Sequence, residues 1–144
     1  MQGEHYHEFV KEMWDTNCKK TELFINSDTY YGLNTYKAAF EAVRVTIASI
    51  VQLLKQNYSS FFSIVRPPGH HSGMKGQPHG FCFFNNIAMA AQYALNSGKI
   101  KKIAILDWDA HHGEGTQKLF YSHSDVLYLS LHRFDKGKYF PHIK

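Results

Sequence analysis

The chain reads as an α/β protein built on a parallel sheet, and its own order of elements predicts this. From Phe61 onward, apolar runs and amphipathic stretches alternate as strand, helix, strand, helix, strand. That order gives parallel pairing with right-handed crossovers. Each apolar run is followed by a polar cluster: His70-His71, then Asp107 to His112, then Ser130 to Arg133. In open α/β sheets ligands bind outside the carboxyl ends of the strands. Three clusters obeying that rule predict one composite site. A length of 144 residues suggests a single domain.

Composition narrows the function classes. The chain is 44% hydrophobic and 15% aromatic, enough for a buried core and against disorder. No apolar run reaches the length of a membrane span, and the first residues lack an apolar signal core. Cys18 and Cys82 make neither a disulfide framework nor a Cys-x-x-Cys pair, which points to a reducing compartment, nucleus or cytoplasm. The net charge of +4 is modest, and Lys19-Lys20 and Lys99, Lys101 and Lys102 are short clusters at element ends. A solvated surface accounts for them better than a nucleic-acid track.

Residues 4–14 pattern as a weak helix with Phe9, Val10 and Met13 on one side; His5 and His7 read there as surface rather than ligands. Cys18 to Thr29 reads as loop. Residues 35–56 are the clearest helix: Tyr36, Phe40, Val43, Ile47, Ile50 and Leu54 recur at steps of four and three, and Asn34 is placed to cap it. That stripe is core packing. Phe61 to Val65 reads as a strand, and Pro67, Pro68 and Gly69 stop it and stiffen the turn into His70-His71. Adjacent histidines on such a turn suit acid/base groups or metal ligands.

Ser72 to His79 is a polar loop. In the apolar run Gly80 to Phe84, Phe83 and Phe84 read as core, whereas Phe81 suits a slot wall or the core equally. Asn85 or Asn86 caps a helix through about Asn96, with Ile87, Ala88, Ala91 and Leu95 inward and Gly98 as its stop. Ala104-Ile105-Leu106 reads as a buried strand. In extended backbone, side chains two apart point the same way, so Asp107, Asp109 and His111 share one direction past its end. A carboxylate and an imidazole converging there begin a divalent-metal site, and mixed His/Asp ligation suits zinc. A helix over about 114–121, a third strand over 126–131 and a terminal loop through Pro141 complete the chain.

Arg66-Pro67-Pro68-Gly69-His70-His71, Gly80-Phe81-Cys82-Phe83-Phe84-Asn85-Asn86, Asp107-Trp108-Asp109-Ala110-His111-His112-Gly113, and Leu129-Ser130-Leu131-His132-Arg133 with Phe140-Pro141 are similar to motifs of the zinc-dependent histone deacetylases, most closely the class II members. The likeness in order and spacing runs from about Phe9 to Pro141. The resemblance implies a three-layer, arginase-like α/β/α domain that hydrolyses the acetyl-lysine amide of a histone or another protein. It implies a zinc cofactor on Asp109 and His111. It makes His71 the general acid/base and His70 its electrostatic partner. Asp107 would orient His70 and, with Ser130 and Leu131, help hold a structural potassium ion. A second potassium would use main-chain oxygens around Phe120, His123 and Val126. Phe81 and Phe140 would flank a narrow lysine channel with Gly80 at its wall, and Asp28 aligns with a rim residue that grips the substrate backbone. Corepressor-complex proteins are the partners the resemblance suggests.

Two departures stand out. Glu114 occupies a position where class II members usually carry Asn and class I members Asp; it could pair with His71, but its reach is longer. The loop from Ser72 to His79 is about one residue longer than the family's usual length. A catalytic zinc normally has three protein ligands, and Asp109 and His111 supply two. The family's third ligand, an aspartate, and its transition-state tyrosine or histidine have no counterpart here. Residues 1–144 are therefore expected to be a fragment of a catalytic domain, inactive when isolated. Two rival readings are an acetylpolyamine amidohydrolase, which shares these motifs, and a catalytically silent binding module.

Overall fold

A computed structural model describes residues 23–73 and 78–142. The N-terminal helix expected over 4–14, with His5 and His7, and Cys18 lie outside the described residues. The described chain opens with a small antiparallel pair, β1 (Leu23–Phe24) and β2 (Tyr30–Tyr31). The stretch read as loop up to Thr29 therefore contains a short strand. The Asn26 carboxamide oxygen accepts the Thr29 backbone N–H at 2.9 Å, closing the turn between the two.

Helix α1 (Thr35–Leu54) follows, ending two residues before the expected Gln56. Asn34 sits at its N-cap position but makes no side-chain cap bond. Thr35 Oγ1 instead accepts from the Gly32 backbone N–H at 2.9 Å. The expected stripe is rotated: Ala39, Ala42, Val43 and Ser49 are buried, and Phe40 is 48% exposed. Small residues let α1 approach α2 closely, so a large side chain between them is displaced to the flank. Tyr31, Ala39, Val43, Phe83 and Phe84 form one core cluster, with Ile25, Tyr36 and Ile47 against it. Phe83 and Phe84 are core, as read.

The run Phe61 to Val65 is not a strand. A strand needs a ladder partner, and among the described residues it has none. A cleft of about 490 Å³, lined by Phe61, Ser63 and Val65 on one side and Ile105, Leu106 and Asp107 on the other, lies where pairing with the next strand would be. Phe62 and Ile64 are both 87% exposed, and a 2.6 Å hydrogen bond between Ser63 Oγ and Ser49 Oγ ties the segment to α1.

Helix α2 (Asn86–Asn96) is capped by Asn85, whose side-chain oxygen accepts from the Ala88 backbone N–H. Ala88, Ala90, Ala91 and Ala94 face inward; Ile87, read as inward, is 40% exposed. The parallel pair β3 (Ile103–Asp107) and β4 (Val126–Ser130) is joined through α3 (Glu114–Phe120). The register sets Asp107 opposite Ser130, so both strands end together. Ala88 and Ala91 of α2, Leu119 and Phe120 of α3, and Ile105 and Val126 form the second core cluster, with Ile103 and Tyr128 packed against it. The opposite sheet face is open: Leu106, Leu127 and Leu129 are each about half exposed. The strand read as buried is thus buried on one face. The α/β class with its parallel sheet stands, and it brings the carboxyl ends of β3 and β4 and the turn after Val65 to one edge.

Candidate active site

Each loop at this edge is fastened before any chemistry is asked of it. Asn85, with no exposed surface, donates through Nδ2 to Ser72 O and to Thr116 Oγ1, both at 3.0 Å. Thr116 N–H in turn donates to His70 O at 3.0 Å. One buried side chain thus ties the His70-His71 turn to the first turns of α2 and α3. Asn86 Nδ2 donates to Pro67 O at 3.1 Å, holding the other arm of that turn.

The expected extended alternation stops at Asp107. Asp107 Oδ1 accepts the Asp109 backbone N–H at 3.2 Å, and Asp109 Oδ1 accepts that of His111 at 2.7 Å. These short local bonds turn the chain, as Asp side chains do when they compete with a ladder. Asp107 therefore holds His70 from one side, while Asp109, 3.9 Å from the other nitrogen of that ring, pairs with His111. Asp107 Oδ2 meets His70 Nδ1 at 2.9 Å and accepts the Tyr128 hydroxyl at 2.8 Å. Asp109 Oδ1 lies 2.9 Å from His111 Nδ1, with side chains 50% and 38% exposed. Gly113 sits against this corner. A Cβ there would collide with Asp107 Oδ2, the Tyr128 hydroxyl and His70 Nδ1, so only glycine fits.

His71 is 4% exposed, and its Nδ1 meets Glu114 Oε2 at 2.7 Å; the longer reach of glutamate spans the gap. The His70 and His71 ring centroids are 4.1 Å apart. Burial lowers the His70 pKa, but the hydrogen bond and charge of Asp107 outweigh it and leave the ring above its usual value. Burial pushes the Glu114 carboxyl up, yet the hydrogen bond from His71 and the close approach of the His79 ring outweigh it and bring the group down to about 2. A carboxyl lowered in this way stabilises the fold above its unfolded value of 4.5, and that contribution is lost as pH falls toward 2. Glu114→Gln is accordingly expected to flatten the acid limb of a Tm-against-pH curve between pH 4.5 and 2. An acid limb identical to that of the parent protein would show that the carboxylate gains nothing from its histidines.

Aromatic walls close in from two loops. Phe140 sets its ring at 4.9 Å from His71 and 5.9 Å from His111, near perpendicular to both. Tyr139 stacks on His111 at 4.9 Å and 8°, under the Arg133 guanidinium. Gly80 (φ +55°) leaves no room for a side chain because His71 occupies the space a Cβ would need. Phe81 follows with φ 64° and is 57% exposed, so it is not core. Such a conformation in a bulky residue costs on the order of 1–3 kcal/mol and persists only where neighbours impose it. Here Asp28 Oδ1 accepts the Gly80 N–H at 3.2 Å and Thr29 Oγ1 accepts the Phe81 N–H at 3.1 Å. Asp28, read as a rim residue, thus spends one oxygen on holding this turn. If the deacetylase reading below holds, Phe81→Ala in a deacetylation-competent polypeptide carrying these residues is expected to reduce turnover while Tm changes little, since the residue is more than half exposed. Unchanged turnover with a lowered Tm would make Phe81 a packing residue.

The residues read for potassium lie in two separate backbone segments. Leu131 N–H donates to Asp107 O at 2.9 Å and Ser130 lies in register with Asp107. Phe120 O accepts from His123 N–H, and His123 O from Val126 N–H, in the turn between α3 and β4. Sequence reasoning missed Tyr128, His79, Tyr139, Asn85 as a loop fastener, and Thr116. Tyr128 was within reach: Val126, Tyr128 and Ser130 alternate onto one face, which their register sets beside Ile103, Ile105 and Asp107.

Fold and site together define an α/β protein whose acid–imidazole pairs gather at the carboxyl ends of parallel strands. Comparison with known proteins narrows the class. The histone deacetylase domain family matches residues 2–144. Histone deacetylase 6 of Caenorhabditis elegans is 45% identical over 114 residues, 78% of this chain and 12% of its own length. The polyamine deacetylase HDAC10 of Danio rerio is 37% identical over 143 residues, 98% of this chain and 21% of its own. The crystal structure of the HDA15 HD domain superposes with a TM-score of 0.83 at 37% identity, covering 92% of this chain and 38% of that one. The chain belongs to the histone deacetylase family, and it spans 12% to 21% of the length of these curated relatives.

Proposed function

We propose that these residues form the proton-handling part and part of the metal site of a zinc-dependent deacetylase acting on the acetyl-lysine amide of a histone or other protein. The observation that carries the reading is the convergence of His70–Asp107, His71–Glu114 and Asp109–His111 at one sheet edge, with the Phe140 ring against His71 and His111. The donor set suits the metal as far as it goes: Asp109 Oδ1 and His111 Nδ1 face each other at 2.9 Å, an oxygen and an imidazole nitrogen that zinc accepts. Among the described residues no group of three or more His, Cys, Asp or Glu could hold a metal ion. A zinc ion held by this pair and a third donor would supply Lewis acidity toward the amide carbonyl and the attacking water.

The rest of the work falls to the chain. Glu114 fixes the His71 tautomer through Nδ1 and leaves Nε2 for the reacting proton. His71 takes a proton from the water as it adds to the amide carbon. It returns a proton to the lysine nitrogen as the C–N bond breaks, releasing acetate and free amine. His70, held by Asp107, keeps a polarised ring 4.1 Å from His71. Phe81 and Phe140 offer aromatic faces to the apolar lysine stem. Structural potassium near Asp107, Ser130 and Leu131 and near Phe120, His123 and Val126, corepressor proteins as partners, and a nuclear or cytoplasmic address belong to this same proposal.

A second reading has its own support, the match to a polyamine deacetylase over 98% of this chain. One assay separates them: a polypeptide carrying these residues, incubated with an acetyl-lysine peptide or an N-acetylated polyamine, with and without a hydroxamate chelator. Chelator-sensitive turnover of the peptide supports the first reading. Turnover of the polyamine alone supports the second. A zinc-loaded protein acting on neither is a silent module.

A further inference from the structure

Glu114 has two carboxylate oxygens, and the His71 pairing uses one. Its side chain is 4% exposed, and Oε1 lies 2.8 Å from His79 Nε2. That contact is short but off the line of the ring N–H, and Oε1 has no other partner among the described residues. Burying a carboxylate oxygen without a partner is costly, so the nearest cation-forming group decides where the carboxylate rests.

His79 is well placed to be that anchor because its own backbone is fixed from both sides. Asn26 Nδ2 donates to Pro78 O at 2.7 Å, and Asp28 Oδ1 accepts from the Gly80 N–H at 3.2 Å. The His79 carbonyl accepts from the Cys82 N–H at 2.9 Å. Phe140 packs against both His79 and His71, with centroids 5.8 Å and 4.9 Å away. A glutamate has one more rotatable bond than an aspartate, so a single contact to His71 would hold its carboxylate loosely. Two contacts to two anchored rings fix it.

We propose that His79 is a positioning residue, holding Glu114 through Oε1 so that Oε2 meets His71 Nδ1 in the geometry that proton transfer needs. This rests on the deacetylase reading of His71. The Glu114 carboxylate close to Nε2 also raises the His79 pKa despite burial, which favours the charged ring as the anchor. In this role His79 acts through Glu114 and His71.

The test uses one zinc-loaded polypeptide carrying these residues, with His79→Ala, His79→Gln and His79→Ala in a Glu114→Ala background. His79→Ala is expected to lower kcat roughly 10- to 100-fold, because misplaced catalytic groups lose that much, with KM changed little. His79→Gln puts an amide N–H near the position of Nε2 and should restore most of the rate. In the Glu114→Ala background the same His79 change should cost nothing further. Histidine ¹⁵N and imidazole ¹H NMR gives a readout independent of turnover: the signal of the His71 Nδ1–H hydrogen bond should shift in His79→Ala and return in His79→Gln. Loss of rate that is additive in the Glu114→Ala background, or an unchanged His71 signal, overturns the proposal. An unchanged kcat in His79→Ala overturns it too. A shifted and rescued signal in a protein that hydrolyses no acetyl-lysine substrate would instead sink the deacetylase reading and leave the anchoring intact.

Discussion

His71→Ala, in a deacetylation-competent polypeptide carrying these residues, is expected to lower turnover of an acetyl-lysine peptide by roughly 10²–10⁴-fold, the usual weight of a general acid/base. His70→Ala should lower it less. The two rings are neighbours, yet their surroundings differ. His71 is 4% exposed and paired with Glu114, whose carboxyl stays ionised down to about pH 2, so Nδ1 is committed and Nε2 is left for the proton in transit. His70 is held by Asp107, a carboxylate that also accepts the Tyr128 hydroxyl. Despite burial, its pKa is raised by the hydrogen bond and charge of Asp107. Steady-state kinetics on both variants decides the matter. Equal losses, or a larger loss at His70, would reverse the roles.

The second large effect concerns the 144 residues by themselves. Purified alone, they are expected to show at most about a hundredth to a thousandth of the turnover of a complete deacetylase domain, the loss that removal of one oxyanion donor brings. Two zinc donors fall short of the three a catalytic site normally carries, so a metal held by Asp109 and His111 would be weakly bound and poorly oriented. The sheet adds a second difficulty. Among the described residues β3 and β4 pair only with each other, and the face bearing Leu106, Leu127 and Leu129 is open, an arrangement that invites association. An acetyl-lysine assay with and without a hydroxamate chelator, beside a zinc measurement on the same sample, gives the answer. Chelator-sensitive turnover near that of a complete domain would mean that a residue within the chain supplies the third donor. His132, stacked on His112, and Asp135, paired with Arg133, are the candidates nearest in sequence.

What could be read from the sequence follows the physics that is local. The helices over 35–54, 86–96 and 114–120 announce themselves by apolar period, by Asn85 as a cap and by the glycines around them. The strands Ile103–Asp107 and Val126–Ser130 do so by short apolar runs. Phe61 to Val65 has the composition of a strand but no ladder, because pairing depends on a neighbour that a local pattern does not contain. The stripe of α1 was misread at Phe40 because the distance between helices is set by alanines, which a hydrophobic period underweights. In the site, the pairing of His71 with Glu114 was within reach as a possibility, while His79 was not. Its contact with Glu114 spans 35 positions in sequence and depends on how the turn after Pro78 is fastened by Asn26 and Asp28.

The central claim is a division of labour: Asp109 and His111 hold the metal, while His70, His71 and Glu114 handle protons and charge. Zinc content and turnover, measured side by side on single-residue variants of a competent polypeptide, test it most directly. Asp109→Ala and His111→Ala should lose both zinc and turnover. His70→Ala, His71→Ala and Glu114→Gln should lose turnover and keep zinc near the stoichiometry of the parent protein. Full zinc occupancy in Asp109→Ala or His111→Ala, or loss of zinc in His71→Ala, would contradict the account.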